Sequence, residues 1–174
     1  FKTLLENNGV GMSSSSVLVS RSGLSAAGGF LEGVEHGQDT EAWARLAWSG
    51  DIAFCDEVLV VYHSEVPDSA SKDVPRAIRP YPAFLSSYEK WNGTNRIPVG
   101  LRESTRRYAH WILARNVMEL AHHGLREEAR HRLKSAAWCD ENDPHILRAR
   151  IWTVLPTAVL RLGRRVRRRL SRGP

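Results

Sequence analysis

The sequence predicts an α/β protein in which a sheet segment comes first and an α-helical C-terminal region follows. β-branched residues concentrate in two short stretches of the N-terminal part, around residues 17–19 and 52–62, and turn-forming residues flank both. Beyond residue 100, apolar residues instead recur at the three- and four-residue spacing of a helix. These two patterns place strands only in the N-terminal part of the chain.

The elements of the N-terminal part follow from local patterns. A helix needs apolar residues at helical spacing and a stop signal, and a strand needs alternation between turn residues. In chain order we expect a short helix in FKTLLENNGVG, a strand in SSSSVLVSR, a helical turn that breaks at Gly28 and Gly29, a helix that ends at Gly50, and a strand pair or one long bent strand in IAFCDEVLVVYH. Residues 1–72 are therefore predicted to form one mixed segment.

The rest of the chain divides into three predicted regions. Residues 73–100 form a proline-rich connector with one helix near AFLSSYEKWNG, and residues 101–144 form a helical hairpin that turns at Gly124. Residues 145–174 are predicted to be a basic amphipathic helix, kinked or restarted at Pro156.

The net charge of +6 is concentrated at the C-terminus. Without the seven arginines of residues 161–174, a stretch that holds no acidic residue, the chain would be close to neutral. A nucleic-acid-binding face spread over the fold is therefore not expected. An arginine-rich amphipathic helix favours attachment to an anionic membrane surface, and a solvated or partner-binding tail is the alternative.

The sequence has no apolar run long enough to span a membrane and no secretory signal, so it predicts a cytoplasmic protein, peripheral at the inner face of the cell membrane. Cys55 and Cys139 have no partner at metal-binding or redox spacing, so we expect both to be reduced thiols in the core. The spacing of the histidines does not place three on one helical face, and no metal site is expected in this chain.

Several short motifs of residues 1–72 resemble the second half of the catalytic domain of family 2 glycosyltransferases, which have the GT-A (Rossmann-like) fold. They occur in the family's order and spacing. The motifs are the turn Gly28, Gly29 and Phe30, the helix positions Asp39, Trp43, Arg45, Leu46, Ala47 and Gly50, and the strand end Tyr62 and His63. The resemblance covers under half of the chain.

The resemblance implies an inverting glycosyltransferase that transfers a hexosyl or related sugar from a nucleotide sugar to a glycan or lipid-linked acceptor. Such enzymes act in glycan or cell-envelope polysaccharide synthesis. Asp39 would be the general base that takes the proton of the acceptor hydroxyl. Asp is also a preferred helix N-cap, so the residue alone favours a capping role.

Other residues of these motifs have predicted roles as well. Gln38 stands where the family usually has Glu, and with His63 it is a candidate substrate-binding residue. Trp43 is expected to pack on the sheet, and Arg45 to bind a buried carboxylate or the backbone. The serine run at residues 13–16 is expected to line the acceptor side or to form a polar strand edge.

The sequence departs from the family in its metal ligands. The complete enzyme would hold Mg²⁺ or Mn²⁺ through an Asp-x-Asp motif, yet residues 1–38 contain no aspartate. We therefore expect a fragment that lacks the donor-binding half and is inactive alone. The alternative is a non-catalytic, membrane-associated helical interaction module that carries a remnant transferase segment.

Overall fold

The structure is a computed structural model that describes residues 14–34, 36–61, 63, 78–156 and 159. These residues form six α-helices and no β-strand. The helices are α1 (Arg21–Ala26), α2 (Gln38–Ser49), α3 (Ala83–Trp91), α4 (Arg102–His122), α5 (Arg126–Ser135) and α6 (Pro144–Val154), with 3-10 turns at Ser14–Ser16 and Val99–Leu101. The chain divides into two compact units, Phe1–Ala109 and His110–Pro174.

The predicted α/β fold class is wrong, because the described residues are helical and contain no sheet segment. The first predicted strand is a 3-10 turn followed by irregular chain. Its burial does alternate, since Val17 and Val19 are half-buried and Leu18 is exposed. Alternating burial makes a strand only where a neighbouring strand accepts the backbone hydrogen bonds, and the described residues offer none.

The second predicted strand also lacks regular structure over residues 51–61. Its side chains lie at the surface, with Phe54 87% and Val58 92% exposed. β-propensity measures how well a side chain fits a pleated, half-buried surface, so β-branched residues without such a surface do not form a strand. The remaining strand-end residue, Tyr62, lies outside the described residues, as does the predicted helix at the N-terminus.

The helices of the first unit begin and end at residues that suit these positions. The Ser20 side chain caps α1 by accepting a hydrogen bond from the Gly23 N–H at 3.1 Å. The helix predicted to end at Gly50 is α2, and the helix predicted in the connector is α3. Their contact includes an edge-to-face pair between Trp48 and Trp91, with ring centroids 4.6 Å apart.

The core of the first unit is built mainly on α3. Phe84, Leu85 and Tyr88 are buried. The rings of Phe84 and Tyr108 form an edge-to-face pair with their centroids 5.1 Å apart. Aromatic pairs of this geometry add about 0.5–1.5 kcal/mol each beyond the area they bury. Because α2 packs on α3, this core also fixes the position of α2, the helix that carries Asp39.

The second unit is a helical arrangement with its own core. Gly124 separates α4 from α5. Its φ of 86° is a left-handed backbone conformation that is strained for residues with a side chain. The Leu125 N–H donates to the Leu120 carbonyl at 2.9 Å across this turn. Helix α6 begins with Pro144, and the Asp143 side chain caps it by accepting from the His145 N–H at 2.8 Å.

Candidate functional site

Asp39 lies in the first turn of α2 and is half-buried. The N-cap residue is Gly37, so Asp39 is not the N-cap. Its Oδ1 accepts a hydrogen bond from the Thr40 N–H at 2.7 Å, and its Oδ2 accepts one from the Ser14 hydroxyl at 2.6 Å. The carboxylate thus satisfies one of the free N–H groups of the helix start and faces the positive end of the helix dipole.

The same helix carries an ion pair between the buried Glu41, two residues after Asp39, and Arg45, one turn further along. Glu41 is 1% exposed, and Arg45 binds it through two parallel hydrogen bonds, Nε to Oε1 at 2.8 Å and Nη2 to Oε2 at 2.6 Å. The Ser87 hydroxyl of α3 donates to Oε1 at 3.0 Å. A buried carboxylate needs such bonds to offset its loss of solvation.

Arg45 also holds the Gly28-Gly29 turn. Its guanidinium donates to the carbonyl of Ala27 and, through Nη2 at 2.6 Å, to that of Gly29. A Cβ at Gly28 would approach the Arg45 guanidinium to 3.3 Å, and the φ of 92° there is unfavourable for other residues. The prediction that Arg45 binds a buried carboxylate or the backbone is confirmed, and Arg45 binds both.

The turn and the helix meet at a second point through their aromatic rings. Phe30 packs edge-to-face on Trp43, with ring centroids 5.9 Å apart. The prediction that Trp43 packs on a sheet is wrong, since its partner is this ring and the described chain contains no sheet. The spacing between the Gly-Gly-Phe turn and the Asp39 helix therefore has a physical cause: Arg45 and Trp43 connect the two.

The two predicted substrate-binding residues, Gln38 and His63, differ in where they lie relative to Asp39. Gln38 is the first residue of α2, half-buried and adjacent to Asp39. His63 is exposed, and no contact joins it to Asp39 or Gln38 within the part of the chain that the structure describes. Sequence reasoning missed Glu41, although the four-residue spacing of Glu41 and Arg45 is typical of an ion pair on a helix.

A divalent cation does not fit the residues around Asp39. Its described hydrogen-bond partners are a serine hydroxyl, a threonine hydroxyl and a backbone N–H, with no second carboxylate. The described residues contain no group of three or more His, Cys, Asp or Glu side chains that could hold a metal ion. Mg²⁺ and Mn²⁺ prefer several oxygen ligands, so no step of the chemistry below depends on a metal held by these residues.

The second unit contains a cluster of His110 and Asp143, and the charge of Asp143 also acts on the Cys139 thiol. His110 is fully buried, and its Nδ1 lies 3.0 Å from Asp143 Oδ2. The backbone N–H of Asp140 donates to Nε2 at 3.1 Å, which assigns the ring proton to Nδ1. Both ring nitrogens are therefore occupied, and His110 has no free nitrogen to accept a proton from Cys139 or from a substrate.

The Cys139 thiol is accordingly expected to be unreactive. Burial, and next the charge of Asp143, raise its pKa to about 11, so the thiolate forms only at high pH. The prediction that both cysteines lie in the core is wrong, since Cys55 is exposed and Cys139 is half-buried. We expect 5,5′-dithiobis(2-nitrobenzoic acid) at pH 8 to modify Cys139 roughly a hundredfold more slowly than Cys55. The Cys55→Ser and Cys139→Ser variants separate the two rates. Equal rates in these variants would contradict the inert thiol.

Asp143 combines two structural roles, and its removal should destabilise the second unit. Asp143→Ala loses the α6 cap, about 1 kcal/mol, and leaves the buried His110 N–H without its acceptor, about 1–3 kcal/mol. We expect the free energy of unfolding to fall by about 2–4 kcal/mol in urea denaturation followed by circular dichroism. Glu141→Ala, which breaks only the exposed pair with Arg150, is the control, with a change within about 1 kcal/mol. Equal effects of the two substitutions would refute the double role.

No protein-family model, curated protein or solved structure matches the chain. Its own surroundings and the sequence motifs therefore carry what is known of the chemistry of Asp39. Among the described residues, the start of α2 has a partly accessible carboxylate on a helix that is held by buried hydrogen bonds. The His110 cluster has no ring nitrogen that could accept a proton.

Proposed function

We propose that this chain supplies the acceptor-side carboxylate of an inverting, nucleotide-sugar-dependent glycosyltransferase, with Asp39 as the general base. The observation that carries the proposal is the half-buried Asp39 carboxylate, held at the start of α2 by hydrogen bonds of 2.6 and 2.7 Å. A general base must reach the acceptor hydroxyl and keep a fixed orientation toward it. The two bonds supply that orientation and leave part of the carboxylate accessible.

The proposed reaction is a single displacement. The acceptor O–H gives its proton to the Asp39 carboxylate while its oxygen forms a bond to the anomeric carbon of the sugar. The bond between that carbon and the nucleoside diphosphate breaks, the diphosphate leaves with the electron pair, and the configuration at the carbon inverts. In this proposal the groups that bind the donor diphosphate belong to polypeptide outside residues 1–174.

The buried pair beside Asp39 has a positioning role in this proposal. Glu41 and Arg45 join α2 to the Gly28-Gly29 turn, and Ser87 joins the same carboxylate to α3. These bonds cross between three segments of the first unit, so they resist rotation or sliding of α2. A displacement of about 1 Å at a catalytic group can lower the rate of the chemical step by about a hundredfold. A general base therefore needs a helix that is held in place.

The proposed acceptor is a glycan or a lipid-linked sugar of cell-envelope polysaccharide synthesis, used at the inner face of the membrane. The support is the basic C-terminal sequence, whose seven arginines after residue 160 suit anionic headgroups at roughly 1 kcal/mol each. Within the described ranges no helix is both long and apolar enough to cross a bilayer. We propose a peripheral attachment through the basic C-terminal sequence.

A second candidate function is a non-catalytic helical interaction module. The observation that favours it is the second unit, whose helices α5 and α6 pack together around buried residues such as Ala129, Ile146 and Ala149. Such a unit can bind a partner without any chemistry at Asp39. The two functions differ in a simple way, because only the transferase releases a nucleotide.

The experiment is a nucleotide-release assay on the protein translated from the complete reading frame that encodes this chain. Purified protein is given UDP-, GDP- and dTDP-sugars with and without a lipid extract of the native membrane as acceptor. We expect acceptor-dependent release with one donor class. Absence of release with every donor would contradict the transferase and favour the interaction module.

A further inference from the structure

Helix α6 has a buried side and, about 130° around the helix axis, an exposed apolar side. Ile146, Ala149 and Thr153 are buried on the side that packs against α5. Leu147, Ile151 and Val154 are 46%, 56% and 66% exposed. Their spacing of four and three residues puts these three side chains on one face, which we call the α6 stripe. A continuous exposed apolar stripe of this kind marks a surface that contacts a partner or a membrane.

Basic residues border the α6 stripe on both sides. At 100° per residue, Arg148 lies on one flank and Arg150 on the other, and both are exposed. Arg150 also binds Glu141 at 2.7 Å, at the surface. From Pro144 to the C-terminus the sequence contains no acidic residue. Its nine arginines are Arg148, Arg150, Arg161, Arg164, Arg165, Arg167, Arg168, Arg169 and Arg172.

We propose that the α6 stripe docks on an anionic lipid bilayer, with α6 lying in the plane of the interface. An apolar stripe with one exposed arginine on each flank, Arg148 and Arg150, fits acyl chains below and negatively charged headgroups on either side. No acidic residue interrupts the positive charge of the sequence from Arg148 to the C-terminus, which suits an extended negative surface such as a lipid leaflet. The inference deepens the membrane attachment proposed above, and it does not depend on transfer activity.

The proposal fixes the orientation of the second unit on the membrane. Because α5 packs on the buried side of α6, about 130° around the helix axis from the stripe, α5 lies on the side turned away from the bilayer. Exposed charged side chains of α5, such as Glu127 and Lys134, then remain in water. Ile151 should enter the acyl region, whereas His145, on another side of α6, should stay in the aqueous phase.

The test is vesicle flotation with the whole chain. Vesicles contain either phosphatidylcholine alone or phosphatidylcholine with about a third of phosphatidylglycerol, a negative surface comparable to a cytoplasmic leaflet. We expect partition to the anionic vesicles to fall roughly tenfold or more in the variant Leu147→Ser/Ile151→Ser/Val154→Ser, since three apolar side chains no longer enter the interface. Partition equal to that of the unsubstituted chain overturns the proposal.

A matched control substitutes three exposed apolar residues of the first unit, Val58→Ser/Leu59→Ser/Val61→Ser. We expect this variant to bind vesicles as the unsubstituted chain does, and a loss equal to that of the stripe variant overturns the proposal. A chain in which the seven arginines after residue 160 are glutamine separates the two attachments. If binding depends on those arginines and not on the stripe, the stripe proposal fails while the membrane attachment of the proposed function remains.

The depth of α6 gives a second, independent readout. A nitrobenzoxadiazole label on Ile151→Cys, in a Cys55→Ser chain, should shift to the blue and be quenched by brominated lipid acyl chains. The same label on His145→Cys should show neither change. Equal quenching at the two positions overturns the orientation. So does a dimer, seen in sedimentation velocity without vesicles, that the stripe substitutions dissociate, because the stripe would then be covered by a second copy of the chain.

Discussion

Replacing Arg45 with methionine is expected to lower the free energy of unfolding by about 3–5 kcal/mol, because Glu41 would remain as a buried charge without its partner. Methionine keeps much of the volume and the apolar stem of arginine, so the loss is that of the ion pair and of the bonds to Ala27 and Gly29. The measurement is urea denaturation at neutral pH, followed by tryptophan fluorescence and by circular dichroism.

The control for this prediction is an exposed ion pair in the same unit. Arg107 binds Glu103 at 2.9 Å, and both side chains are more than half exposed, so Arg107→Met should change the stability by no more than about 1 kcal/mol. The hydrogen bond from Arg106, opposed by slight burial, holds the pKa of Glu103 below its usual value. The exposed pair is thus intact at neutral pH and weakens only as the pH falls through the acidic range.

The double variant Glu41→Gln/Arg45→Met separates the two causes of destabilisation. It removes the buried charge and keeps a polar group for the Ser87 hydroxyl, so it should be more stable than Arg45→Met alone. A single variant that loses under 1 kcal/mol would show that Glu41 is not held as a buried carboxylate. A double variant less stable than the single one would show that the charge is not the source of the cost.

The helices of the described residues could be predicted from sequence, whereas the two predicted strands are not found there. Periodic apolar residues around Trp43 and Leu113 are enough to predict a helix, because the backbone hydrogen bonds of a helix form within the segment itself. A strand forms its backbone hydrogen bonds with neighbouring strands, so Val58 and Phe54 have the composition of a strand without the environment that a strand needs. The strand predictions failed because they depend on residues distant in the chain.

The candidate site shows the same division. The position of Asp39 at the beginning of a helix follows from local signals, including the turn residue Gly37 and the stop at Gly50. The bond from Ser14 joins residues 25 positions apart, and the buried state of Glu41 depends on α3, so neither follows from local patterns. The role of Arg45 was predictable because an arginine on a helix that packs in the core needs acceptors for its donors, but that the Gly-Gly turn supplies two of them, 16 or more residues away in sequence, is seen only in the structure.

Asp39→Asn is expected to lower the turnover of the complete transferase by about 10²–10⁴-fold, the usual contribution of a general base. Asparagine has the same shape and retains an oxygen that accepts from Ser14 or from the Thr40 N–H, but it cannot take the acceptor proton. Circular dichroism and the urea midpoint should stay close to those of the unsubstituted protein. The measurement is the initial rate of nucleotide release at saturating donor and varied acceptor.

Two further variants decide what the loss means. Asp51→Asn removes an exposed carboxylate just beyond the end of α2 and should retain full turnover. Asp39→Glu keeps the carboxylate but moves it by about one methylene, so it should lose rate by up to about a hundredfold and keep the pH dependence of a carboxylate base. If Asp39 acts as the base, Asp39→Asn lowers kcat while the KM for the acceptor changes little, because the proton is transferred only in the transition state. A variant that raises KM and leaves kcat unchanged would make Asp39 an acceptor-binding residue, and retained turnover with an intact fold would remove it from the reaction.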